Sequence, residues 1–176
     1  MEGHVDDARV LSDAQAMTDA ARDRLREGGA RTEAHARYVP PRRVLFIQRA
    51  ATMEPLGRVW RLGVLLLDGG GGLYATGSLT RAVPTGHPNL QSLSAETRRE
   101  YRQAALKAGF EQGETVNFDT TPIEWDAQAL RSSAGPLVVT DDGLGVRWAA
   151  TAAALVPFER YLAERVELLL HPPEGA

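Results

Sequence analysis

The sequence predicts an α+β fold: a curved, mainly antiparallel sheet or partly open barrel of about six strands with three helices, the C-terminal helix packed on the sheet. Three observations lead there. Residues 63–78 and residues 136–148 share one grammar, an apolar strand, an Asp/Gly turn and a second strand. Helical periodicity is confined to three stretches that do not alternate with strands, which argues against a parallel α/β sheet. A final apolar stripe, Phe158, Leu162, Val166 and Leu169, recurs at helical spacing behind Pro157.

Each element can be justified in order. Residues 1–11 read as frayed. Ser12-Asp13-Ala14-Gln15 has the form of a capping box, Met17, Ala21 and Leu25 recur on one face behind it, and Gly28-Gly29 stops the helix. Residues 29–41 read as a linker stiffened by Pro40-Pro41. The expected organisation is therefore an N-terminal helix and linker over 1–39 and a single α+β domain over 40–173. Residues 44–47, Val-Leu-Phe-Ile, read as a short buried strand, and 50–57 as a loop or bulge around Pro55. Residues 58–68 form the longest expected strand. Its second half is apolar on both faces and is expected to be covered on both. Residues 72–79 return from it.

A second helix is expected from Ser94, with Glu96 in its first turn, to a Schellman-type end at Gly109-Phe110. A short strand over 114–118 follows, then a loop with a short helix over 122–131, anchored by Ile123 and Trp125. The last helix ends at His171 and Pro172-Pro173.

Composition narrows the chemistry. With 43% hydrophobic and 24% charged residues the chain is an ordinary globular sequence. It has no cysteine, which excludes disulfides, thiolate zinc sites and cysteine nucleophiles. No apolar run approaches the ~20 residues a membrane helix needs. The first residues lack the basic and apolar regions of a signal peptide, so the expected location is cytoplasmic. Net charge is −3, unevenly spread: residues 37–81 carry seven arginines against two acids. Nineteen of the twenty basic residues are arginine.

Gly70-Gly71-Gly72-Leu73-Tyr74-Ala75 fits the G-x-G-x-x-G/A pattern, but a dinucleotide site needs a helix starting at the glycines. Leu73-Tyr74-Ala75-Thr76 favours a strand, so the expectation is a hairpin. No phosphate-loop lysine motif, no G-x-S-x-G and no Ser-x-x-Lys occurs. No two of His4, His35, His87 and His171 share metal-ligand spacing, so neither metal nor cofactor is expected. His4 and His35 fall in stretches expected to be flexible. His87, in a Gly-His-Pro loop, is a candidate general base, and Asp119, Glu124 and Asp126 are candidate paired carboxylates. Arg43, Arg58, Arg61, Arg81 and Arg147, on or beside strands, are candidate anion ligands, with pairing to acidic helices as the alternative. Nucleic acid is the less expected partner, because stacking would need Trp60, Tyr74 or Trp148 exposed.

Three stretches carry a resemblance: Gly57-Arg58-Val59-Trp60-Arg61-Leu62-Gly63-Val64 with its leucine run, Gly113-Glu114-Thr115-Val116-Asn117-Phe118, and Leu155-Val156-Pro157-Phe158-Glu159 with Tyr161-Leu162-Ala163-Glu164-Arg165. Together they resemble a family of small uncharacterised proteins from high-GC bacteria, some labelled glutaminase, over roughly residues 40–173. The resemblance supplies no catalytic residues, and the serine–lysine and cysteine machineries of glutaminases are missing here. The expected function is a non-catalytic binding or protein-interaction module with an anion-binding basic strand region. The alternative is an amide hydrolase using His87 or the carboxylates. The expected partner is another protein or a small anionic ligand, and the half-apolar first helix leaves self-association open.

Overall fold

The computed structural model describes residues 6–85, 93–149 and 155–173. Four helices and twelve strands occur among them: α1 (Asp7–Glu27), β1 (Glu33–Val39), β2 (Arg42–Val44), β3 (Ile47–Arg49), β4 (Thr52–Leu62), β5 (Leu65–Asp68), β6 (Leu73–Ala75), β7 (Ser78–Arg81), α2 (Leu93–Lys107), β8 (Thr115–Phe118), β9 (Thr121–Pro122), α3 (Ala127–Arg131), β10 (Leu137–Thr140), β11 (Gly143–Val146), β12 (Val156–Pro157) and α4 (Phe158–Leu170). The α+β class holds. The count of six strands and three helices was too low, and no strand order closes into a barrel among the described residues. No described helix is long and apolar enough to cross a membrane. The chain divides into two compact units, one of Met1–Arg31, Trp60–Ala75 and Pro122–Ala176, the other of Thr32–Val59 and Thr76–Thr121.

In the first unit, α1 starts earlier than the capping box at Ser12 predicted. Asp6 is the cap, its carboxylate accepting from Ala8 N at 3.1 Å, and Ser12 lies inside the helix. The earlier start brings Leu11 into the buried face with Ala14, Thr18, Ala21 and Leu25. Thr18 is tolerated there because its hydroxyl donates to the Ala14 carbonyl at 2.8 Å. Gly28 and Gly29 end the helix as expected, Gly29 in the left-handed region. Helix α4 opens behind Pro157, as expected. It buries Phe158, Tyr161, Leu162 and Val166 against α1 and the β10-β11-β12 sheet.

The expected single strand over 58–68 is broken. Gly63-Val64 forms a turn between β4 and β5, with Gly63 at φ +68°. The Tyr161 hydroxyl accepts from Val64 N at 2.9 Å and donates to the Leu62 carbonyl at 3.0 Å, satisfying the turn from a distant helix. A Cβ on Gly63 would fall on that hydroxyl. The expected double-sided burial does hold in β5, whose Leu65, Leu66 and Leu67 are all fully buried.

In the second unit the strand order is β7-β8-β1-β4. Residues 33–39, expected within a linker, are β1, antiparallel to β4 and parallel to β8, which makes the sheet mixed. The cause is an alternation the linker reading overlooked: Ala34 and Ala36 face a core of Ala51, Met53, Ala82, Ala104, Ala105, Val116 and Phe118. The return over 72–79 is likewise split into β6 and β7. Helix α2 ends as predicted: Phe110 N bonds the Ala105 carbonyl and Gly109 N the Leu106 carbonyl, with Gly109 at φ +87°.

Beside this core Tyr38 donates to Glu100. Burial, reinforced by that bond, holds its phenol well above the usual value near 10. A raised native value means that the folded chain keeps a proton the unfolded chain loses. The stabilisation is therefore complete below about pH 10 and declines as pH rises past it. The urea midpoint is expected to fall above about pH 10, and to fall less in Tyr38→Phe. Equal slopes in the two proteins would show that Tyr38 does not set the alkaline limit.

Candidate functional site

The four glycines close a turn, and the turn already holds an anion of its own. Asp68 Oδ1 accepts from Gly70 N at 2.7 Å and Gly72 N at 2.8 Å, while Tyr74 donates its hydroxyl to Oδ2 at 2.9 Å. The backbone closes the same loop through Asp68 N to the Gly72 carbonyl. Strand β6, not a helix, follows, so the amides that a dinucleotide pyrophosphate would need are occupied by a side chain. Burial and the bond to Asp68 raise the Tyr74 phenol. Asp68→Ala removes an ionised acceptor from three donors and is expected to cost about 2 kcal/mol, measured by urea denaturation. A change below about 0.5 kcal/mol would mean that the turn holds itself. A cleft of about 630 Å³ lies alongside, walled by Gln15, Asp19, Tyr74, Ile123 and Trp125. Among the described residues lining it, the one carboxylate, Asp19, is paired with Arg22 at 2.5 Å, and the one phenol is given to Asp68.

The candidate arginines have diverse fates. Arg58 is held by the Thr32 hydroxyl and carbonyl and by Glu114. Arg147 is turned onto the Gly135 carbonyl. Arg61 is half-buried near the end of β4 and is partnered. Arg81 is exposed on β7, opposite Thr115. Arg43 is placed differently from all of these, on an exposed hairpin that sequence reasoning missed.

That hairpin is the pair β2–β3. Arg42 stands opposite Arg49, Arg43 opposite Gln48, and Val44 opposite Ile47, while Leu45 and Phe46 form the two-residue turn. The expected buried strand is therefore an exposed tip: Leu45, Phe46 and Ile47 are 85%, 90% and 65% exposed. The whole stretch 40–50 is exposed, and the two strands form a sheet of their own. Each local rule is broken in the same place. Two-residue hairpin turns favour Asn-Gly, yet this one has Leu45 at φ 56° followed by Phe46. Arg42 and Arg49 are like charges directly opposite each other. The side chains of Arg42, Arg43 and Arg49 form no hydrogen bond or ion pair among the described residues. Local choices that oppose stability in this way concentrate where a protein meets a ligand or partner.

The alternative catalytic residues are spread out. His87 lies outside the described residues. Asp119 is exposed, with its backbone in the left-handed region at φ 53°. Glu124 is exposed, and Asp126 is the cap of α3, accepting from Ala129 N at 2.7 Å. Trp125 between them packs edge-on to Phe158. His35, expected in a flexible stretch, is instead 3% exposed on β1, with Nε2 at 2.8 Å from the Thr120 hydroxyl. Next to it Asn117 is buried and donates to Glu33 at 2.7 Å. Of the aromatic residues considered for stacking, Trp60 is buried, with its indole donating to the Ala30 carbonyl, whereas Trp148 is half exposed.

One signal could have found the hairpin. In Arg42-Arg43-Val44-Leu45-Phe46-Ile47-Gln48-Arg49 the apolar run is four residues long, preceded by Arg42-Arg43 and followed by Gln48-Arg49. No group of three or more His, Asp or Glu residues placed to hold a metal ion occurs among the described residues. No family model, curated relative or solved structure matches this chain.

Proposed function

We propose that this protein is a non-catalytic binding module and that the β2–β3 hairpin is its contact element. The observation that carries the reading is the exposed tip Val44-Leu45-Phe46-Ile47 on a stem of three arginines whose side chains have no partner among the described residues. Such a tip gains free energy by leaving water, by ~25 cal/mol per Å² of apolar surface covered. The stem fits a partner that is anionic around an apolar interior. A small anionic ligand held by Arg43, Arg58, Arg61, Arg81 and Arg147 together is the weaker version, since Arg58 and Arg147 already have protein partners.

A photo-reactive residue at position 46, activated in the producing cell, tests the reading. The expected result is an adduct from position 46 and none from position 168, another exposed apolar site. Absence of any adduct from position 46 would overturn it. A second reading, amide hydrolysis, draws on the 2.8 Å pair of Thr120 hydroxyl and His35 imidazole, the spacing of a nucleophile and its base. Ammonia release from glutamine that disappears in Thr120→Val would favour that reading over the first.

A further inference from the structure

The chemistry of the hairpin's partner can be taken one step further, on the basis of the binding reading above: we infer that the β2–β3 hairpin docks on an anionic phospholipid surface, its tip entering the interface end-on.

The distribution of charge around the ribbon favours this occupant. Alternation along a two-stranded ribbon puts Arg42, Arg49, Val44 and Ile47 on one face and Arg43 and Gln48 on the other. Arginine is therefore present on both faces of the stem. The apolar tip is likewise not one-sided, because Leu45 and Phe46 project from the turn itself. A protein groove covers one face of a ribbon and leaves the other in water, which calls for an apolar face and a polar face. A bilayer interface surrounds an inserted tip on all sides and meets a ring of cations at the level of the phosphates.

The length agrees. Arg42 and Arg49 stand three positions along the strands from the turn residues Leu45 and Phe46, about 10 Å, close to the depth at which apolar side chains of interfacial segments lie below the headgroups. Arginine suits the stem position, since its guanidinium bonds phosphate oxygens in a fork. The acid nearest the hairpin in sequence, Glu54, is committed to Arg37, so it does not cancel the stem's charge. Nucleic acid is the weaker occupant, because three arginines on one ribbon give a small phosphate footprint and the chain as a whole is anionic.

Sedimentation of the full-length protein with vesicles tests the assignment. One set is phosphatidylcholine alone, and the other contains roughly one-third phosphatidylglycerol. The wild type is expected to pellet with the anionic set and to bind the neutral set at least about tenfold more weakly. Each arginine near the surface contributes about a fivefold change in partitioning, so replacing Arg42, Arg43 and Arg49 with Gln should weaken binding by about a hundredfold. Phe46→Ser should weaken it by about tenfold or more. These residues lie outside both cores, so circular dichroism of the variants should match the wild type.

Wild-type protein that stays in the supernatant with anionic vesicles would overturn the lipid assignment. So would variants that pellet as well as the wild type. The photo-reactive residue at position 46 separates the two levels. Lipid adducts support both, whereas adducts to a protein, to nucleic acid or to a second copy of this chain retain the contact element and overturn the lipid. No adduct overturns both.

Discussion

Phe118→Ala is expected to lower stability by about 3–5 kcal/mol, the range for removing an aromatic side chain from a core. The position lies at the upper end for a reason particular to this protein. Among the described residues, the buried cluster around it is built from Ala34, Ala36, Ala51, Ala82, Ala104 and Ala105, with only Met53 and Val116 as larger members. Alanines have no rotamers with which to fill a void, so collapse around the missing ring is restricted. Phe118 is fully buried, and its ring centroid is 4.8 Å from that of Tyr101 and 6.0 Å from that of Tyr38. Urea denaturation followed by far-ultraviolet circular dichroism measures the change. A loss below about 1.5 kcal/mol would mean that the small-residue core is more compliant than this packing implies.

Gly77→Ala is expected to cost about 3 kcal/mol although it adds only a methyl group. The new Cβ would stand 2.0 Å from the Asp119 carbonyl oxygen, 2.4 Å from its carbon and 2.6 Å from the Phe118 carbonyl oxygen. All three are backbone atoms, so no side-chain rotation relieves the contact. Backbone relaxation at Asp119 is also restricted, since this residue already sits at φ 53°. The methyl must instead open the end of the β7–β8 ladder, where Ser78 pairs with Phe118. Amide exchange at the ladder amides of β7 and β8 should accelerate along with the loss of global stability. A variant with wild-type stability would show that this turn can move aside. Asp119, a candidate catalytic carboxylate by sequence, thus has a visible role through its backbone.

The functional proposal has consequences for how the charge pattern is read. Residues 37–81 carry an excess of five positive charges, which as a sequence statement points to one basic surface. In three dimensions that excess is divided. Arg37 and Arg58 are neutralised by Glu54 and Glu114, while Arg42, Arg43 and Arg49 are left together beside an exposed apolar tip. The consequence is a local cationic, apolar element on an otherwise acidic chain. Under the proposed binding function, such an element would select its partner electrostatically.

The sequence by itself determined the elements whose causes are local. The Schellman end at Gly109-Phe110, the Asp-Gly turns after β5 and β10, the α4 stripe and the short α3 helix all depend on residues within a few positions of one another. Each was legible for that reason. The strand nature of residues 73–75 is legible too, and by itself it removes the dinucleotide reading. What the tertiary structure decided were places where the local pattern is degenerate. An apolar run can be a core strand or an exposed tip, and only the pairing of Arg42 with Arg49 makes 44–47 a tip. A leucine-rich stretch can run straight or turn back, and it turns at Gly63-Val64 because the hydroxyl of Tyr161, almost a hundred residues away, satisfies the turn. An arginine on a strand can bind a ligand or a glutamate, and the outcome depends on which acid the fold places beside it, as Glu114 is placed beside Arg58. Burial and pairing are properties of the assembled chain, because the atoms that satisfy or cover a residue come from segments distant in sequence.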